Sequence, residues 1–265
     1  MTTLPSLLAR EGFQAPGTED FVWPPIWTLH IFGFDLEINR SALLMVLAML
    51  LVLVVFLVAF RRPSMVPHGL QNLVEVGVEF IRRQVILEVI GEAGLRFLPY
   101  LTTLFFFIFF ANVLEIIPPI NFPATSRMAL PAFLALMSWL LFNAVGIREQ
   151  GLGPYLRSVL FPPGIPWPLY LLITPIEFVS TILVRPVTLS VRLLANMVAG
   201  HLILSVFFLG TVYLLGRPAT AVFGVPAFVM SVALVAFELL VALLQAYIFT
   251  ILTAVYLAGA LEPEH

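Results

Sequence analysis

The sequence predicts an all-α, polytopic membrane protein with about five membrane helices plus one amphipathic surface helix, the last two helices long and strongly tilted. Three observations carry that prediction. Of 265 residues, 61% are hydrophobic and 11% charged, against roughly 45–50% apolar and about 25% charged in a soluble domain. Mean hydropathy is +1.05. Several windows of about 18 or more residues hold few or no charges, which is the length that crosses a hydrocarbon core about 30 Å thick. Strand-like alternation is absent, and backbone polar groups in lipid need internal partners, so helices are the spanning element. Cysteine is absent, which excludes a disulfide framework and a thiolate nucleophile or metal site. All 13 basic residues are arginine; nothing physical in the sequence explains the missing lysine.

Residues 1–40 read as an external N-terminal segment, polar and slightly acidic through Glu11, Glu19, Asp20, Asp35 and Glu37. They lack the basic-then-apolar order of a secretory signal. Residues 41–265 read as a single membrane-embedded helical domain. Its first span, 41–60, ends at Arg61, Arg62 and Pro63. In the stretch from about 68 to 90, Gln71, Glu75, Glu79 and the Arg82/Arg83 pair recur at helical spacing, with Leu70, Leu73, Val74, Ile81 and Val85 on other faces. That pattern suits a helix lying on the membrane surface. A second span near 97–117 is closed by Pro118 and Pro119, a short loop from Asn121 to Ser126 follows, and a third span covers about 129–147. After a polar connection and a Pro-rich re-entry, apolar blocks at 168–215 and 225–260 form a final two-helix hairpin. No proline or polar turn interrupts Val187 to Arg217. A helix of about 30 residues is about 45 Å long and must lie obliquely; the alternative is two ordinary spans with a turn near Gly200.

Orientation follows arginine placement. With the segments 61–96 and 148–157 on the cytoplasmic side, Arg61, Arg62, Arg82, Arg83, Arg96, Arg148 and Arg157 lie inside. Arg10, Arg40, Arg127 and Arg217 lie outside, and Arg185 and Arg192 fall within the membrane. The N-terminus is then external and the C-terminus cytoplasmic.

The ionisable residues in the apolar blocks are Glu115, Glu177, Arg185, Arg192, His201 and Glu238, joined by the amides Asn112, Asn196 and Gln245. A charge at the bilayer centre costs at least about 2.5–3.5 kcal/mol, and arginine cannot escape by deprotonating. Arg192 serves either a function or a structural ion pair with Glu177 or Glu238. Arg185, before Pro186, either snorkels or shares a role with Arg192. At about 100° per residue, Asn196 lies about 40° from Arg192, on a face shared with Ala195, Ala199 and Ile203. His201, nine residues from Arg192, points to the opposite face. Glu238 and Gln245 share a stripe with Val241, Ala242 and Phe249, and a His–Glu pair can pass a proton near neutral pH. Asn112 and Glu115 are either a solvated helix end or the mouth of a path. Glu177 either lines an exit or sits in the first turn of a helix starting at Pro175, where a carboxylate suits the dipole.

The segments "RPVTLSVRLLANMVAGH" and "LLQAYIFTILTAVYL", with "ANVLEIIPP" and the C-terminal "EPEH", closely resemble the a subunit of the membrane sector of bacterial F-type ATP synthase. The resemblance is most specific over 185–256 and collinear from about 41. It implies a proton-translocating stator subunit of the rotary synthase, lying against the c-subunit ring and joined by b-type peripheral stalk subunits. Two half-channels would load and unload protons on the ring carboxylates, coupling proton flow to rotation and ATP synthesis. In this resemblance Arg192 is the arginine facing the ring and essential to translocation. Asn112, Glu115, Asn196, His201, Glu238 and Gln245 belong to the outer half-channel, and Glu177 and Arg185 to the inner one. Many members read Phe-Gly where this chain has Leu194 and Ala195, and many carry Glu and His at the positions of His201 and Glu238, which are exchanged here. The spacing from Glu177 to Pro186 is one residue longer than is common in the family.

The implied protein is non-catalytic on its own, takes no cofactor and no metal, binds no nucleic acid, and resides as a multi-pass protein in the bacterial plasma (inner) membrane. No phosphate-cradling G-x-x-x-x-G-K-[ST] segment is present, so nucleotide chemistry belongs to other subunits. The rival reading is a free-standing ion-coupled secondary transporter, which usually shows internal repeats; no such halves are visible. An intramembrane hydrolase would need a nucleophile or metal set, and the four histidines, at 30, 68, 201 and 265, are scattered.

Overall fold

The computed structural model describes residues 27–31, 34–38, 40–117, 128–161 and 166–261. Five helical stretches are long and apolar enough to cross a membrane: Ser41–Ala59, Glu92–Leu114, Ala129–Gln150, Trp167–Leu215 and Ala221–Leu261. The 121–126 loop lies outside the described residues. Ahead of the helices, β1 (Trp27–Ile31) pairs antiparallel with β2 (Phe34–Ile38), Leu29 opposite Leu36. The sequence reading missed this hairpin. In the sequence Phe34, Leu36 and Ile38 alternate with Asp35 and Glu37, which is a short-strand signal.

α1 (Arg40–Ala59) is apolar all round and about 30 Å long. α2 (Leu70–Phe80), continued by a π-helical stretch at Ile81–Leu87, is the surface helix. It buries Gln71, Val74, Ile81, Val85 and Ile86 and exposes Arg82 and Arg83. Both arginines pair with Glu79, and the Arg83 hydrogen bond foremost holds that carboxyl below its ordinary value. A 3-10 turn (Glu92–Phe97) leads into α3 (Leu98–Ile116), whose Pro99 stands in the first turn, where its missing N–H goes unneeded. α4 (Ala129–Gln150) ends at Gly151, whose φ of 84° turns the chain. The polar connection that follows folds as a short helix, α5 (Leu152–Leu160).

Trp167–Leu169 opens α6 (Tyr170–Val179), a π-helical stretch covers Ser180–Val184, and α7 runs from Arg185 to Leu215. Two alternatives are thereby decided. There is no turn at Gly200: α7 is one helix of 31 residues. Pro175 lies inside α6, so Glu177 is not in a first turn and the helix dipole does not account for it. The π stretch between Glu177 and Arg185 takes in an extra residue without breaking the helix. α8 (Ala221–Leu261) has 41 residues. At about 47 and about 61 Å, α7 and α8 exceed a perpendicular crossing and lie obliquely.

α8 is the centre of the bundle, packed along α7, α3 and α4, while α1 leans on α3 and α2. Its buried positions are mostly small (Ala242, Ala246, Thr250, Thr253, Ala254, Ala260), which lets neighbours approach closely. Thr250 and Thr253 turn their hydroxyls back to Ala246 O (2.8 Å) and Phe249 O (2.9 Å). Leu101, Ile108, Leu114, Phe142, Leu189, Leu193, Phe249 and Leu257 fill the core between them. At one end Arg96 pairs with Glu149 at 2.7 Å and Gln150 Nε2 donates to Ala260 O at 2.9 Å. Towards the other end Thr211 and Ser231 hydroxyls meet at 3.3 Å.

Candidate functional site

On α7 the stripe Arg192, Ala195, Asn196, Ala199 and Ile203 is exposed, while Leu193, Met197, Gly200 and Leu204 are buried against the bundle. Helical periodicity alone produces this split, because the bulkier apolar residues follow one face and the small ones the other. Among the described residues Arg192 makes no ion pair, which overturns the structural pair with Glu177 or Glu238. A permanent cation therefore stands on a face that the other described residues leave uncovered.

Behind it lies a polar crevice between α3, α7 and α8, lined by Asn112, Asn196, Glu238 and Gln245 with Leu193, Met197, Val241 and Ala242. Its volume of about 10 Å³ is room for about one water. Asn196 Nδ2 donates to Gln245 Oε1 at 2.6 Å. Gln245 is 2% exposed and Asn112 4%, and neither Gln245 Nε2 nor Asn112 Oδ1 has a hydrogen-bond partner among the described residues. Asn112 is thus no solvated helix end. Glu115 is on the last turn of α3, and its side chain lies outside the described residues.

Glu238 reaches α7 at Gly200. A Cβ there would come within 2.7 Å of the carboxyl carbon of Glu238, so only a glycine leaves that seat open. His201, half-buried on the next residue, is an electrostatic neighbour of Glu238. The structure therefore brings Asn112, Asn196, His201, Glu238 and Gln245 together, and places Arg192 one turn from Asn196 on the outer face. From sequence Gly200 entered only as the site of the alternative turn, not as the seat of Glu238; the signal for that seat was a glycine beside a membrane histidine.

The inner pair does not assemble in the same way. Glu177 is half-buried on α6 and makes no ion pair with Arg185 among the described residues. Arg185 instead lies over the Tyr256 ring, 5.1 Å from its centroid, a cation–π contact that ties the start of α7 to the end of α8. Tyr155 of α5 is a second neighbour that sequence reasoning missed. Its hydroxyl donates to Asn143 Oδ1 at 2.9 Å and its ring rests on Gly146. Burial pushes the Tyr155 phenol above its ordinary value, against the opposing pull of Arg185. Asn143 Nδ2 donates to Trp139 O at 2.7 Å, and Trp139 Nε1 to Thr181 O at 2.9 Å in the π stretch.

Among the described residues no group of three or more His, Asp or Glu could hold a metal ion. The family model for the ATP synthase A chain matches residues 42–258. ATP synthase subunit a of Frankia alni is 46% identical over 98% of this chain and 90% of its own length. The protein of the same name from Rhodococcus erythropolis is 43% identical over 97% of this chain and 94% of its own. That of Streptomyces lividans is 39% identical over 96% and 90%. With the five apolar helices and the Arg192 face, these matches show that the chain is a multi-pass membrane protein belonging to the ATP synthase A chain family.

Proposed function

We propose that this chain is the non-catalytic, proton-translocating stator subunit of an F-type ATP synthase, working against a ring of carboxylate-bearing c subunits and held by a peripheral stalk. The exposed Arg192 carries the reading: a cation without a counter-ion among the described residues, on a face of alanines, suits a mobile carboxylate supplied from outside. In a low dielectric the guanidinium stabilises the carboxylate anion that must exist briefly beside it. It also keeps protons from crossing between the two access paths without rotation.

The outer path runs through the crevice. A water donating to Asn112 Oδ1 and accepting from Gln245 Nε2 satisfies both orphaned groups, next to Glu238 and His201. Glu238 and His201 exchange the proton, and Asn196, bonded to Gln245, marks where the path meets the Arg192 face. Glu115 stands at its outer mouth. The inner path leaves past Glu177, with Arg185 held between Tyr256 and Tyr155 as its wall. The arginine distribution supports an external N-terminus and a cytoplasmic C-terminus, and each charge crossing the membrane gains about 2.3 kcal/mol per 100 mV.

Arg192→Ala in inverted vesicles tests the proposal. ATP-driven proton pumping vanishes while the complex still assembles. Coupled pumping that persists in this variant overturns the assignment.

A further inference from the structure

At the end of α1 the chain forms a pocket of about 540 Å³, within the range of small-ligand sites. Arg61, Arg62 and His68 stand around it over Val58, Ala59 and Leu70, and among the described residues no acidic side chain lines it. Neither arginine nor His68 has an ion pair among the described residues. Exposed cations this close together repel, so they need either a fold that holds them or an anion between them.

The loop is held. The buried amide of Gln71 accepts from Ser64 N–H (3.1 Å) and donates to Ser64 O (3.1 Å), copying a strand pairing. Ser64 Oγ donates to Val66 O at 2.6 Å. The nearest acid, Glu75, accepts from Gln71 Nε2 at 2.7 Å. Glu79 is occupied by Arg82 and Arg83. Glu79 is thus engaged elsewhere, Glu75 faces the Gln71 amide rather than a cation, and neither makes an ion pair with Arg61, Arg62 or His68, so the pocket's positive charge is left for an outside anion.

Position decides which anion. α1 is a lipid-length helix, so its end falls at the membrane–water boundary whichever way the chain is oriented. Leu53, Val54, Leu57 and Val58 on its last turns are exposed, giving acyl chains a surface directly below the cations. We propose that this pocket binds the headgroup of an anionic phospholipid, its phosphate between Arg61, Arg62 and His68 and its chains along α1. Each arginine near the surface strengthens anionic lipid binding about fivefold, about twenty-five-fold for the two together.

The test uses the whole complex reconstituted in liposomes with a trace photoactivatable phospholipid. Phosphatidylglycerol and phosphatidylcholine probes with the same diazirine-bearing chains are compared, and labelling is mapped to the peptide covering 54–71. The phosphatidylglycerol probe labels that peptide about twenty-five-fold more, about fivefold more in Arg61→Gln, and equally with phosphatidylcholine in the Arg61→Gln/Arg62→Gln double variant. Arg61→Lys/Arg62→Lys keeps the preference. Equal labelling by the two probes in the unmodified complex overturns the proposal, as does a preference that survives the double glutamine change. Loss of labelling in millimolar inorganic phosphate also overturns it, since the pocket would then take the free anion. Should the glutamine variant fail to assemble, the two-probe comparison on the unmodified complex decides.

Discussion

Replacing Gly200 by alanine puts a methyl group where the Glu238 carboxyl rests. The added Cβ would lie 2.6 Å from Oε2 and 2.7 Å from the carboxyl carbon, whereas ordinary contact begins near 3.4 Å. Oε1 would lie closer still, so the carboxyl must retreat by more than about 0.8 Å. It is the far end of a flexible side chain, so rotation of Glu238 takes up the shift and the fold is little affected. Moving a reacting group by about 1 Å costs up to about a hundredfold in rate. ATP-driven proton pumping by Gly200→Ala vesicles, normalised to assembled complex, falls between about tenfold and a hundredfold. A compensating change separates this cause from general damage. Glu238→Asp shortens the side chain by one methylene, about 1.5 Å, so the Gly200→Ala/Glu238→Asp double variant pumps better than Gly200→Ala alone. Full pumping by Gly200→Ala, or an aspartate that gives no gain in that background, refutes the reasoning.

Gln245→Leu removes the acceptor of the Asn196 bond together with an orphaned buried donor. Thermal stability in detergent therefore stays within about 1 kcal/mol, since an apolar group of like shape replaces a half-satisfied amide. Pumping nonetheless falls by about tenfold or more, as the hydrogen-bonding amide that would hold the water beside Glu238 is lost; a parallel loss of stability and pumping would assign Gln245 to packing alone. Tyr155 titrates with the opposite bearing. Because burial raises its folded value, the stability gained from a neutral phenol is fully present below the unfolded value near 10.0 and is lost as pH rises from there through the folded value. Thermal unfolding of the complex between neutral and strongly alkaline pH shows that decline, and Tyr155→Phe flattens it; an unchanged slope in the phenylalanine variant contradicts the assignment.

Membrane helices are the most legible feature of this chain because each spans about twenty residues of nearly uniform apolarity, and no packing detail is needed to see them. Faces of one helix were legible for the same reason. The exposure of Arg192, Ala195, Asn196, Ala199 and Ile203 follows from period alone. Meetings between helices were not. That Glu238 would settle on Gly200, or that Asn112 would be buried beside Gln245, depends on how α3, α7 and α8 cross, and crossing geometry is set by side chains from three separated segments. Tyr155 was overlooked because "REQGLGPYLRSV" is polar enough to read as a connection. Its one buried aromatic becomes visible only once α4 offers Gly146 as a seat. The β-hairpin was overlooked because residues 1–40 read as one polar segment, and a five-residue alternation within it is too short to stand out.

The π stretch at Ser180–Val184 acts as a phase adjuster. An α-helix transmits azimuth rigidly, about 100° and about 1.5 Å for every residue. Without the wider turn, everything from Trp167 to Val179 would be rotated relative to Arg192, and Glu177 would address a different neighbour. The hydrogen bond from Trp139 to Thr181 O clamps the adjuster to α4. The chain thus carries two independently aimed half-shafts on one continuous rod. One sets where Glu177 looks, the other where Arg192 looks, and their relative angle is encoded in the residue count of a single turn.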